Sequence, residues 1–315
     1  MRPLGSLALV AASAVTSALL VLFSHRASQT SHSPLVGLYE YEVSSSQSAP
    51  FALEVTFLDW SDPKIDSQLR SFLHRAIFRH RLPLLTLEPF PDRRNGRRNA
   101  DLLADVLSGR HDAAIARIAR TLAAHPSTVL LRFGHEMDKP GHYPWAYRDP
   151  DRYIRLYHYV YGRFNLEKPT NLRWIWSPAG TPNAVHYWPG DHYVDLIGLS
   201  IYASRAWTSD RRLESFSDQL NRQWWIARRY GRPVLVAEAG VSGSAADQQR
   251  WIGDALSTFQ HYPELCGLVY FQAPQPLWMP LATGHENWAL KPKVLQWFQR
   301  QLPVSPRYGR SCVES

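Results

Sequence analysis

The chain predicts an α/β fold, a closed barrel of eight parallel strands each followed by a helix. Eight short β-branched and aromatic runs recur along 315 residues, helix-length amphipathic segments separate most of them, and several runs are continuously apolar. A strand that is apolar on both faces, such as Val234-Leu235-Val236-Ala237, suits a parallel sheet covered by helices. Repetition of strand and helix argues for closure into a (β/α)8, or TIM, barrel, with a doubly wound open sheet as the alternative.

In order, the expected strands are Leu35 to Glu40, Ala52 to Leu58, Pro83 to Glu88, Val129 to Gly134, Leu172 to Pro178, Val194 to Tyr202, Pro233 to Ala239 and Leu265 to Gln272. Between them, apolar residues spaced by three and four mark helix faces. Ile65, Leu69, Phe72, Leu73 and Ile77 form one, Ala113, Ala116, Ile118, Ala119 and Leu122 a second, and Tyr153, Tyr157, Val160, Tyr161 and Phe164 a third. Further helices are expected over residues 215–230, 246–259 and 291–301. Asp149-Pro150 and Ser61-Asp62-Pro63 supply a capping side chain and a proline at helix starts. The connection between the first two strands is too short for a good helix.

Hydrophobic residues at 45% and charged residues at 20% are ordinary globular proportions, so disorder is excluded for the bulk of the chain. The run from Leu7 to Phe23 carries no charge and is flanked by Arg2, His25 and Arg26. It reads as an export signal or membrane anchor, with an uncleaved anchor favoured and cleavage near Ala12-Ser13-Ala14 the alternative. Residues 24–33 then form a polar tether. Two regions follow: residues 1–33 outside the fold, and one barrel domain over residues 34–315. The expected location is exported, periplasmic or extracellular, with possible attachment to the inner membrane through residues 7–23.

Cys266 and Cys312 are the only cysteines, and both a disulfide and two unpaired thiols are compatible with an exported chain. They form no C-x-x-C pattern, and the 13 histidines show no H-E-x-x-H spacing, so no metal site is expected. Net charge is +8, with Arg93, Arg94, Arg97 and Arg98 clustered around Asn95-Gly96. No nucleic-acid module accompanies them. An anionic polysaccharide or membrane surface is the milder partner.

Active sites of such barrels lie where strand C-termini open into loops, and two carboxylates end apolar runs there. Glu136 closes Leu130-Leu131-Arg132-Phe133-Gly134-His135-Glu136, and Glu238 closes Val234-Leu235-Val236-Ala237-Glu238. Alternation places Arg132, Gly134 and Glu136 on one face, and Val234, Val236 and Glu238 on one face, so both acids can point at the barrel axis. Two carboxyls in one cleft can differ in protonation, one as nucleophile and one as general acid, which is the minimum set for glycoside hydrolysis. Aromatics at strand ends, Trp60, Trp145, Trp176, Trp188, Tyr202, Trp207 and Trp278, offer flat surfaces to sugar rings. A serine-hydrolase elbow is absent, because Gly198-Leu199-Ser200-Ile201-Tyr202 lacks the second glycine.

Three segments together resemble glycoside hydrolase family 26, the β-mannanase-like members of a barrel clan. They are Arg132-Phe133-Gly134-His135-Glu136-Met137 with Tyr143-Pro144-Trp145, then Tyr187-Trp188-Pro189-Gly190-Asp191-His192-Tyr193-Val194-Asp195, then Pro233 to Gly240. The resemblance implies a cofactor-free retaining mechanism with Glu136 as acid/base and Glu238 as nucleophile. It further implies that His135 contacts sugar beside the scissile bond, that Tyr202 hydrogen-bonds the nucleophile, and that Trp278 underlies the distorted ring. Trp176 and Trp145 would be cleft residues, and Glu88 cleft-lining or structural. Where the family continues the acid/base motif with Asn-Gly and a nearby Trp, this chain has Asp138-Lys139-Pro140-Gly141-His142, a departure that bears on sugar contacts and on the acidity of Glu136. The implied substrate is a β-linked polysaccharide, such as β-1,4-mannan. A hydrolase accessory to exopolysaccharide production and a non-catalytic sugar-binding barrel are the alternatives.

Overall fold

A computed structural model of the chain describes residues 34–40, 50–91, 101–274, 286–303 and 310–313, all within one compact unit. The apolar run Leu7 to Phe23, the arginine cluster at 93–98 and Trp278 lie outside the described residues. No described helix is long and apolar enough to cross a membrane.

Eight strands form a closed parallel barrel in simple order: β1 Leu35–Glu40, β2 Leu53–Asp59, β3 Leu82–Glu88, β4 Val129–Phe133, β5 Leu172–Trp176, β6 Leu196–Ser204, β7 Val234–Ser242 and β8 Leu265–Gln272. Closure is explicit, because β1 pairs with β8 from Leu35↔Gly267 to Glu40↔Gln272 and with β2 at Gly37↔Leu53. The open-sheet alternative is thereby excluded. The covering helices are α1 Ile65–Phe78, α2 Leu102–Leu107, α3 Asp112–Ala123, α4 Pro150–Asn165, α5 Phe216–Tyr230, α6 Ala245–Thr258, α7 Pro292–Gln301 and the short α8 Arg310–Val313.

Local chemistry sets several helix ends. Asp149 caps α4 through its side chain on the Asp151 amide, with Pro150 in the first turn where a missing N–H costs nothing. Ser244 and Asp247 form a reciprocal capping box on α6. The Ser61-Asp62-Pro63 start is displaced: the Asp62 carbonyl first accepts the Ile65 amide in a turn, and α1 begins at Ile65. Glu54 on β2 binds Arg75, Arg79 and Arg81 at 3.1 Å each, joining α1 and its exit to the barrel wall.

The barrel interior holds Leu35, Leu53, Val55, Leu82, Leu84, Leu130, Ile175, Leu196, Leu235, Ala237 and Val269, while residues of opposite parity pack under the helices. Two irregularities break this alternation. On β7 the pairing runs Leu199↔Val236 and then Ser200↔Glu238, so Ala237 is an extra residue. On β8, Val234 pairs with Leu265 and Leu235 with Gly267, which leaves Cys266 extra. The second bulge brings Cys266 into the inner cluster, where it is disulfide-bonded to Cys312 of α8 beneath the barrel. Constraining the separation of 46 residues in the unfolded chain is worth about 4 kcal/mol by loop entropy.

Candidate active site

Glu136 reaches the barrel mouth by a route different from simple alternation. Strand β4 stops at Phe133, and both Gly134 (φ 54°) and Glu136 (φ 53°) are left-handed. A Cβ resists this conformation, so a glutamate held there is a strained residue fixed by its surroundings. The fixing contact is its amide, which donates to the Ser177 carbonyl just past β5 at 2.8 Å. Asp138 then anchors the loop by accepting the Ala179 and Thr181 amides at 2.6 and 2.8 Å. That carboxylate is thus committed to backbone, which answers the expectation that it would alter sugar contacts.

Glu238 is aimed by the β7 bulge. Val234 and Val236 face the helices, contrary to the expected shared face, and Leu235 and Ala237 face inward. The extra residue lets Glu238 follow Ala237 on the inner side. Arg132, fully buried on β4, donates through Nη1 to Glu238 Oε1 at 2.6 Å, and the Tyr202 hydroxyl donates to Oε2 at 2.6 Å. A guanidinium on one oxygen and a hydroxyl on the other leave the carboxylate little rotational freedom. Tyr202 fits because Gly240 has no side chain; a Cβ there would meet the tyrosine ring at 2.8 Å.

The two acids share one electrostatic enclosure. Lys139 Nζ donates to Glu136 Oε2 at 3.2 Å, and His142 Nε2 lies 3.6 Å from the same oxygen. Lys139, His142, Tyr143 and Tyr202 each respond to the charges of both Glu136 and Glu238. Burial works to raise the Glu136 pKa, but Lys139, His142 and Arg132 outweigh it and hold the carboxyl below its ordinary range. Lys139 remains a cation: burial works to lower its pKa, but the charge and hydrogen bond of Glu136, together with the charges of Asp138 and Glu238, outweigh it and raise it. His135 is neutral: burial, reinforced by Arg132, His142 and Lys139, pushes it well below its usual value.

Glu88 is the acid pushed upward, to about 8, by burial and by repulsion from Glu238 and Asp59. Its pKa rises on folding, so the native state is penalised as pH climbs from about 4.5 towards 8, and the whole penalty applies above that. Glu88→Gln is therefore expected to raise the melting temperature at pH 9 but not at pH 4, by roughly 2–4 °C per kcal/mol recovered. Thermal denaturation at the two pH values checks this; equal shifts at both would contradict it.

Several expected cleft aromatics are elsewhere. Trp176 is fully buried on the helix side of β5, donates to the Tyr187 carbonyl at 3.1 Å and packs against Trp188 and Tyr230. Trp145 is likewise fully buried; it stacks on Tyr143 at 4.6 Å and donates to the His135 carbonyl at 2.7 Å, supporting the site from behind. Neither offers a face to a ligand. Trp60 and Trp188 are also packed, on His111 and Tyr230, because outward-facing strand ends must be covered by loops. His135 is 1% exposed, with Nε2 3.2 Å from the Tyr143 hydroxyl and 3.9 Å from Glu238. Trp207, 44% exposed, packs on Trp288, which in turn packs on Tyr202.

Arg132, Lys139, His142 and Trp288 went unassigned in the sequence. Arg132 carried a signal, a lone cation inside an apolar run; Trp288 carried none that separates it from Trp278 in the same connection. Among the described residues no three His, Cys, Asp or Glu side chains are grouped to hold a metal ion.

The closed parallel barrel brings two acids, an arginine and a tyrosine together at its C-terminal mouth. Residues 102–218 match the model of glycosyl hydrolase family 26, a stretch that includes Glu136 and ends before Glu238. Endoglucanase H of Acetivibrio thermocellus is 27% identical over 183 residues, which are 53% of this chain and 20% of that protein. A mannan endo-1,4-β-mannosidase of Bacillus subtilis is 28% identical over 152 residues, 43% of this chain and 38% of that one. The matched segments thus span between a fifth and two fifths of these relatives. Among solved structures, a GH26 β-mannanase from Bacteroides ovatus superposes with a TM-score of 0.63 at 17% identity, covering 88% of this chain and 90% of that one. The similarity to family 26 is accordingly one of sequence over residues 102–218 and of fold across the barrel.

Proposed function

We propose that the chain is a retaining endo-β-glycanase acting on a β-1,4-linked polymer such as mannan. The observation that carries this reading is the Glu238 carboxylate, gripped by Arg132 and Tyr202 at 2.6 Å each inside an enclosure whose charges it shares with Glu136. Glu238 attacks the anomeric carbon; the C1–O bond to the leaving sugar breaks and its oxygen takes the proton of Glu136. Glu136 then accepts a proton from water as that water displaces Glu238 from C1, restoring the original anomeric configuration. Arg132 and Tyr202 orient the nucleophile, and Trp207 with Trp288 rims the cleft beside Tyr202.

The uncharged run Leu7 to Phe23 and the disulfide support export, with tethering to a membrane. A panel of β-1,4-mannan, β-1,4-glucan, β-1,4-xylan and mixed-linkage glucan, with product sizing and NMR of the newly released anomer, tests the function. Internal cuts releasing a β-anomer are expected; a release of α-anomer would replace retention by inversion.

A further inference from the structure

The Glu136–Lys139 pair poses a chemical problem for the reaction proposed above. A general acid must carry a proton, yet an ammonium hydrogen-bonded to its carboxylate at 3.2 Å stabilises the proton-free form. Among the described residues, the polar contacts of the Glu136 side chain, from Lys139 and from His142, fall on Oε2. The cation is not a fixed part of the wall: its side chain is 46% exposed, whereas that of Glu136 is 9% exposed. The backbone beneath it is fixed. The Lys139 amide donates to the Glu136 carbonyl, the Gly141 amide to Ala146, the His142 amide to the Lys139 carbonyl, and Asp138 is locked to the chain after β5. A flexible, half-exposed ammonium on a rigid mount, beside the acid, faces whatever occupies the leaving-group side of the cleft.

Neutral sugar hydroxyls cannot compete with a carboxylate for that ammonium. An anionic group on the sugar can, because it offers the same charge-assisted hydrogen bond. We infer that Lys139 recognises an anionic substituent, a carboxylate of the uronate class, on the leaving-group side of the cleft, and that its transfer from Glu136 to that substituent arms Glu136 as the acid. The inference rests on the assignment of Glu136 as acid/base. It selects an acidic β-glycan as preferred substrate, and the net charge of +8 favours encounter with such a polymer. The charged groups bearing on Glu136 are Lys139 and His142 on its own loop and Arg132 from β4, while Tyr143 on the same loop and Tyr202 from β6 respond to its charge. Of these Lys139 is the half-exposed cation that can change partner.

The experiment compares kcat/KM on neutral β-1,4-mannan and β-1,4-glucan with that on the same polymers partly oxidised at C6 to carboxylates. Wild-type enzyme is expected to prefer the oxidised form by about tenfold or more, the size of one hydrogen bond to a charged group. Lys139→Met is expected to abolish the preference and Lys139→Arg to keep most of it. On neutral polymer, Lys139→Met is also expected to move the basic limb of the pH profile upward, since Glu136 then keeps its proton to higher pH. An unchanged preference in Lys139→Met, or a wild-type preference for the neutral polymer, overturns the inference while leaving the function intact. Absence of hydrolysis on every polymer takes down both.

Discussion

Glu238→Ala is expected to lose hydrolysis of polymer and of an activated aryl β-glycoside alike, by roughly 10⁴-fold or more, because no other group can form the bond to C1. Added azide is expected to restore turnover of the aryl glycoside. The small anion fits the space left by the carboxylate, is drawn there by the Arg132 guanidinium that lost its partner, and attacks the same face of C1. The product would be an α-glycosyl azide, inverted relative to the β-substrate and identifiable by NMR. The variant also buries an unpaired arginine, since Arg132 is fully buried with its 2.6 Å contact removed, so its melting temperature should fall. Full activity in Glu238→Ala removes the nucleophile assignment, and azide-insensitive loss in a folded variant contradicts it.

Glu136→Ala separates substrates instead of silencing them all. A sugar leaving group needs a proton as the C1–O bond breaks, whereas dinitrophenolate does not, so loss of the acid is expected to cost about 10²–10⁴ on polymer and far less on a dinitrophenyl glycoside. Steady-state rates on the two substrates check this directly. Equal loss on both contradicts the acid role. The substitution also relieves the left-handed strain only slightly, since alanine carries the same Cβ. Global stability should therefore change little, and the comparison reads chemistry.

Where the sequence was readable follows from what kind of signal each feature leaves. All eight strands were legible within about two residues at most ends, because a strand buried on both faces must be an apolar run. The six long helices were legible for the matching reason, an amphipathic stripe of three-and-four spacing. Helix α2 and α8 were not, since six and four residues are too short to display a period. Glu136 and Glu238 were found as strand-end acids, but the route by which each points inward was hidden. Alternation put Val234 and Val236 on the inner face with Glu238; the bulge at Ala237 makes the true arrangement, and one inserted residue leaves no mark in composition or spacing. Trp145 and Trp176 show the converse. Trp176 was legible at a strand end and Trp145 in the loop beyond one, but which side of the wall each side chain occupies is set by local packing that composition and spacing do not display.

The extra residue at Ala237 ties the orientation of Glu238 to the local register of one strand as much as to residue identity. Regular pleating with Ala237 kept in the ladder would turn the Glu238 carboxylate outward under the helices, away from Arg132 and Tyr202, whereas removal of Ala237 would leave Glu238 inward, opposite Ser200 and next after Val236. Replacing Ala237 by another small side chain would leave the kink in place. The same residues in unbroken alternation would make the simpler sheet, and it would present no carboxylate at this place on its inner rim.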